Sequence, residues 1–292
     1  MEATDPRELS KFIPPTMDLT FKKVFQTPNL LKSLIEAILN ITIESIQITA
    51  TTPIPESVKE NIDKMVIFDA ACKDKQGNCY EIEIQRAVQE ETLKRVTFYG
   101  GRLYCSQLKR VESYKTLNKA IVIAILNFKQ FTNDEDVLRC YKSRDELHND
   151  QMKTLEWYFI ELPKFQLVEP QADLASNQGT LNFWLDFLKN ADKKTEIPPN
   201  VPNEVAQAYG MVERSSFTHE QQEDIRKRLG ILNLFEKQEM ELEELKGVKD
   251  ENEIFKQLVQ SLLSKRTAVE DLSEDEKQLV KLLKIEGLES NT

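Results

Sequence analysis

Seven consecutive apolar residues, Ala120-Ile-Val-Ile-Ala-Ile-Leu126, constrain this chain more than any other feature. The run has the length of one strand and no polar face, so it must be covered on both sides, which puts it in the middle of a sheet flanked by helices. The preceding segments supply the surroundings. Leu30, Leu31, Leu34, Ile35, Ile38 and Leu39 recur at helical spacing, with Asn29 as the expected N-cap. Residues 41–48 alternate apolar with polar as a half-buried strand does, and residues 51–60 are a proline-containing connector. Residues 65–72 and 79–85 read as two strands joined by the turn Lys73-Asp-Lys-Gln-Gly-Asn78. A helix is predicted over 86–108, with Gly100-Gly101 inside it as a weak or closely packed point costing about 1 kcal/mol per glycine relative to alanine. The order helix, three-strand meander, helix, strand is that of an α/β unit.

Beyond the apolar run, residues 132–153 are polar, and 155–162 form a strand candidate that Pro163 ends. From Asn177 the pattern is mainly helical: 181–188, a break at Pro198, Pro199 and Pro202, then 205–211 and 221–234. Residues 236–253 are dense in Glu and Lys, and the tail offers 254–264 and 274–283, the latter with Ser273 as a cap. The expected division is an α/β domain over 12–170 and an acidic, mostly α-helical region over 171–292.

Composition narrows the function classes. No run of about 18 apolar residues exists to cross a bilayer. The first eleven residues carry Glu2, Asp5 and Glu8 rather than a basic segment followed by an apolar stretch, so the expected location is the cytoplasm. Cys72, Cys79, Cys105 and Cys140 match no zinc spacing, and two histidines, His148 and His219, make a His-rich metal site hard to assemble. Reduced thiols are the expectation for such a chain. The net charge of −10 is unevenly spread, because residues 1–150 hold 21 Lys/Arg against 22 Asp/Glu and the remainder holds 18 against 27. Within the first half, residues 86–119 contain eight basic side chains and three acidic ones. This local basic stripe suits a phosphate polyanion, and it suits a solvated helix face as well.

The strand over 79–85 carries the chemistry. Tyr80, Ile82 and Ile84 point to one face, and Glu81, Glu83 and Gln85 to the other. If the hairpin closes with Lys73 opposite Cys79, Asp69 lies directly opposite Glu83, with Cβ atoms about 4.5–5.5 Å apart. Two carboxylates held so close need a cation or a proton between them. Oxygen donors with water and a phosphate favour Mg²⁺ or Mn²⁺ over a softer ion. A salt bridge from Asp69 to Lys64, Arg86 or Arg95, or a water-exposed strand end, accounts for the same carboxylate, and both readings stand on the spacing alone.

These residues fall within a longer pattern: Asp18-Leu-Thr-Phe-Lys-Lys-Val-Phe25, the helix end 34–40, Phe68-Asp69, Glu83-Ile-Gln85, 95–99, 104–108, and Leu155-Glu-Trp-Tyr-Phe-Ile-Glu-Leu-Pro-Lys-Phe165. In this ordered set the chain resembles the PD-(D/E)XK nuclease superfamily, and within it the recombination-promoting nuclease/putative transposase family. The likeness covers about residues 12–170 and runs more loosely to about 240. It implies a restriction-endonuclease-like core with Asp69 and Glu83 as catalytic metal ligands and Gln85 in the place usually held by lysine, a substitution characteristic of this family. Asp18 or Glu36 would supply a further ligand, Asp18 being preferred for its motif match. Arg95, Tyr99 and Arg102, at i, i+4 and i+7, would present one helix face to DNA, with a packing role for Tyr99 as the alternative. The implied activity is Mg²⁺- or Mn²⁺-dependent DNA endonuclease chemistry of low sequence selectivity, linked to recombination or mobile elements. A nuclease-fold protein that binds nucleic acid or a protein without cutting is the second reading, and self-association through the helices from 221 onward is a third.

Overall fold

The structure, a computed structural model, describes residues 10–49, 70–86, 91–108, 113–145, 147–148, 150–167 and 177–230. The expectations for 51–60, for 65–69 including Asp69, and for all segments from 231 on lie outside the described residues. Helices α1 (Asp18–Phe25) and α2 (Pro28–Leu39) lead into strands β1 (Ile46–Ile48), β2 (Ala70–Asp74) and β3 (Cys79–Gln85). Helix α3 (Thr92–Cys105) connects β3 to β4 (Ala120–Leu126); β5 (Leu138–Arg144), β6 (Gln151–Glu161), α4 (Asn177–Asn190) and α5 (Asn203–Val212) follow. Pro6–Gln222 makes one compact unit, and Glu223 begins a second.

The six strands form one sheet in the order β1-β2-β3-β4-β6-β5. β1, β2 and β3 are an antiparallel meander, β3, β4 and β6 run parallel, and β5 returns antiparallel at the edge. β4 is central and buried along its whole length, as its unbroken apolar run requires. Its residues alternate between two cores. Ile121, Ile123 and Ile125 join Phe21, Phe25, Leu34, Trp184, Phe187 and Tyr209 of α1, α2, α4 and α5 on one face. Val122, Ala124 and Leu126 meet Val96 and Leu103 of α3 on the other. α4 and α5, read from sequence as part of the C-terminal region, thus complete the larger core of the α/β unit. Among the described residues no helix is long and apolar enough to cross a membrane.

Local departures from the sequence expectations have identifiable causes. α2 starts at Pro28, whose fixed φ and missing N–H suit a first helical position, so Thr27 is the N-cap and Asn29 is already helical. The strand expected over 41–48 is confined to Ile46–Ile48, because the Ile43 N–H turns back to the Glu36 carboxylate at 2.6 Å and its side chain enters the core. The polar stretch 132–153 contains β5 and the start of β6. As an edge strand, β5 exposes Cys140, Tyr141, Lys142 and Arg144, so no apolar alternation announces it. Cys72 and Cys79 lie in cores on opposite faces of the sheet and are free thiols.

The two ends of the unit are laced together. Ile13 N–H donates to the Val212 carbonyl at 2.9 Å, and Arg214 N–H to that of Lys11 at 2.9 Å. The Phe12 ring stands edge-on to Tyr209 at 5.2 Å.

Candidate active site

The β2–β3 turn fixes the register of the strand that carries the acids. Asp74 accepts hydrogen bonds from the Asn78 backbone and side-chain amides and from the Tyr80 hydroxyl, all at 2.8 Å. Gly77 has φ +89°, and a Cβ there would lie 2.7 Å from Asn118 Nδ2, so both conformation and space call for glycine. The resulting pairs are Lys73 with Cys79, Cys72 with Tyr80, Ala71 with Glu81 and Ala70 with Ile82. This is the expected register over all the described pairs; the next residue of β2's path, Asp69, lies outside them.

Alternation along β3 divides its side chains as the sequence pattern requires. Tyr80 and Ile82 enter the larger core, while Glu81, Glu83 and Gln85 lie beneath α3 at 2%, 3% and 3% exposure. Three polar side chains so deeply buried need partners. α3 provides two of them, in rungs about two helical turns apart. Arg95 Nη2 is 3.6 Å from Glu83 Oε1, and Arg102 Nη2 is 3.4 Å from Glu81 Oε1. Gln85 donates from Nε2 to the same Glu83 Oε1 at 3.0 Å, and its own Oε1 is a buried acceptor with no donor among the described residues.

Electrostatics follow from this burial. Desolvation pushes Glu81 up to about 8; Arg102 pulls it back and the charge of Glu83 adds to the rise. Arg102 is lowered by its own burial, against the pull of Glu81. Tyr99 is 2% exposed and its phenol is raised by burial, with Glu83 reinforcing the shift. The Arg102 guanidinium stands 5.7 Å from the Tyr99 ring. The stripe Arg95, Tyr99, Arg102 therefore faces the sheet and its acids.

α3 also comes very close to β6 at Gly100, where a Cβ would lie 2.5 Å from Trp157 Nε1. The sequence alone does not separate Gly100 from Gly101. It gives Glu81 no role, although the alternation of β3 places it on the face of Glu83.

Asp18 is exposed at the first position of α1. The start of α1 is tied to the end of β3, because Arg86 Nε donates to the Thr16 carbonyl at 3.0 Å. Glu36 is engaged elsewhere, pairing with Lys32 at 2.9 Å and accepting the Ile43 N–H. Glu83 and Gln85 thus stand at the carboxyl end of β3, on the rim shared with the parallel strands β4 and β6, where open α/β sheets bind ligands. On that rim Glu161 accepts the Gln130 and Phe131 N–H groups and pairs with Lys164 at 2.7 Å, which pins the loop after β4. Among the described residues no three His, Cys, Asp or Glu side chains gather as a metal site.

Neither a curated protein nor a solved structure matches the chain. A sequence model of the PD-(D/E)XK nuclease family transposases matches residues 15–243, which takes in both β strands of the hairpin, α3 and the entire parallel core. The chain therefore belongs to the PD-(D/E)XK nuclease family transposases, and its function is nuclease-like.

Proposed function

We propose that the protein is a cytoplasmic metal-dependent DNA endonuclease of low sequence selectivity that acts in DNA recombination or the movement of mobile elements. The observation that carries the reading is the buried Glu83–Gln85 pair at the carboxyl end of β3, in a chain of this family. The residues suit a hard divalent ion: Glu83 offers a carboxylate oxygen, and beside it lies the buried Oε1 of Gln85, which has no hydrogen-bond partner among the described residues. In this reading Asp69, Glu83 and Asp18 hold Mg²⁺ or Mn²⁺, which when bound lowers the pKa of a water and offsets charge on the phosphate. Gln85 accepts a hydrogen bond from the attacking water through Oε1 and so orients it. Arg95 and Arg102 set a positive potential under the DNA backbone, and Tyr99 lies between them on the same face of α3, its ring 5.7 Å from the Arg102 guanidinium. The helices from 221 onward mediate self-association.

The test is incubation of the purified protein with supercoiled plasmid in Mg²⁺, Mn²⁺ or EDTA, alongside Asp69→Ala and Glu83→Gln. Metal-dependent nicking that both substitutions abolish is the expected result. The neutral Gln85 favours one other reading, a nuclease-fold protein that binds nucleic acid without cutting it. Retained DNA binding with no nicking in either metal would establish that reading and refute the enzyme.

A further inference from the structure

Hydrolysis of a phosphodiester adds negative charge to a group that is already an anion, and enzymes meet it with fixed positive charge aimed at the phosphate oxygens. Position 85 offers none, since a glutamine amide only hydrogen-bonds. Among the described residues a cation reaches the same carboxylate from α3: Arg95 Nη2 lies 3.6 Å from Glu83 Oε1, the oxygen that also accepts from Gln85 at 3.0 Å. That separation is longer than the roughly 2.7–2.9 Å of a tight charge-assisted hydrogen bond. Of the two, Gln85 makes the shorter contact with Glu83 Oε1, and the Arg95 guanidinium forms an ion pair with that oxygen from the helix side.

The two rungs beneath α3 differ in depth. The side chain of Arg102 is 12% exposed and its partner Glu81 2%, whereas that of Arg95 is 24% exposed. Arg95 belongs to the outer rung, paired with Glu83 near the strand end, and it spans from the buried acid to solvent. A planar guanidinium in that position matches the geometry of phosphate oxygens.

We propose that Arg95 is a catalytic residue of this site, a guanidinium held beside Glu83 that engages the scissile phosphate and stabilises the charge developing on it. The inference rests on the nuclease reading. In the reaction, the oxygen of water bonds to phosphorus while the bond from phosphorus to a deoxyribose oxygen breaks. The electron pair of that bond leaves with the deoxyribose oxygen, which takes a proton, and the second proton of the water stays with the new phosphate monoester or passes to solvent. Arg95 transfers no proton; it supplies charge and hydrogen bonds to the non-bridging oxygens.

The experiment compares the full-length protein with Arg95→Gln, Gln85→Lys and the double variant. The assays are plasmid nicking in Mn²⁺, calorimetric titration with Mn²⁺ alone and circular dichroism. Glutamine at 95 keeps a donor for Glu83 but removes the charge. Arg95→Gln should fold, should bind Mn²⁺ as tightly as the parent or more tightly, and should nick roughly 10²-fold or more slowly. Gln85→Lys in that background should recover about tenfold, because it returns a cation to the same carboxylate from the strand side. Parent-like nicking by Arg95→Gln, while Asp69→Ala and Glu83→Gln are inactive, overturns this assignment and leaves the nuclease reading standing. An Arg95→Gln protein that does not fold, or one whose Mn²⁺ affinity and nicking fall together without recovery by Gln85→Lys, also overturns it in favour of a structural role. Absence of nicking by the parent protein in either metal removes both.

Discussion

Gly100 and Gly101 are neighbours in one helix, yet replacing each with alanine should move stability in opposite directions. Alanine in a helix interior gains about 0.5–1 kcal/mol over glycine, and that gain is common to both positions. At Gly101 a Cβ meets nothing within 4 Å among the described residues, so Gly101→Ala keeps the full gain. At Gly100 the new Cβ would lie 2.5, 3.0 and 3.2 Å from Trp157 Nε1, Cε2 and Cζ2, and relief requires a shift of about 1 Å by the indole or by α3. Overpacking of this kind costs about 1–3 kcal/mol, so Gly100→Ala should end near 1 kcal/mol less stable than the parent. The difference between the two variants isolates the packing cost at about 1–3 kcal/mol, or roughly 2–10 °C in Tm. Urea titration followed by tryptophan fluorescence reads it directly, with an unchanged slope as the check on two-state behaviour. Trp157→Phe should relieve much of the penalty in the Gly100→Ala background, a coupling that a double-mutant cycle measures. Equal stabilities for the two alanine variants would refute this close packing of α3 on β6 at Gly100.

Other perturbations probe the remaining parts of the structure. Ile123→Ala removes a fully buried side chain from the central strand and should cost about 2–5 kcal/mol in a denaturant titration. Asp74→Ala strips the Tyr80 hydroxyl, on a side chain 1% exposed, of its acceptor and should cost about 1–3 kcal/mol by the same assay. Cys105 and Cys140 are exposed and should react promptly with a thiol reagent in the folded protein. Cys72 and Cys79 should react only after denaturant is added, even at pH 9. Burial pushes the Cys72 thiol up to about 12 and raises that of Cys79, so neither forms much of the reactive thiolate below its raised pKa. Light scattering of the full chain against one ending at Glu220 tests self-association, and a monomer mass for both would refute it.

The parts of the fold legible in the sequence are those where one physical requirement acts alone. Continuous burial on both faces marks 120–126, and strict alternation with a glycine-containing turn fixes both the faces and the register of β3. Burial gives no such signal for β5, whose side chains largely face solvent, and its pairing is set by β6 rather than by its own composition. At the site, spacing brings Arg95, Tyr99 and Arg102 onto one stripe of a helix. The direction that stripe faces is a tertiary matter, decided by the buried acids of β3 that it must neutralise and by the close approach that Gly100 permits. The division of labour between Glu81 and Glu83 was equally invisible, because it depends on which of two arginines each acid meets.

The lacing of Phe12 and Ile13 to Val212 and Glu213 bears on how the chain matures during synthesis. The strands with the acidic residues leave the ribosome before α5, whereas the bridge of Phe12 to Glu213 forms only once the end of α5 has emerged, about two hundred residues after Phe12. Closure of the unit is thus deferred to a late, long-range event, and the nascent protein must carry an open larger core until then.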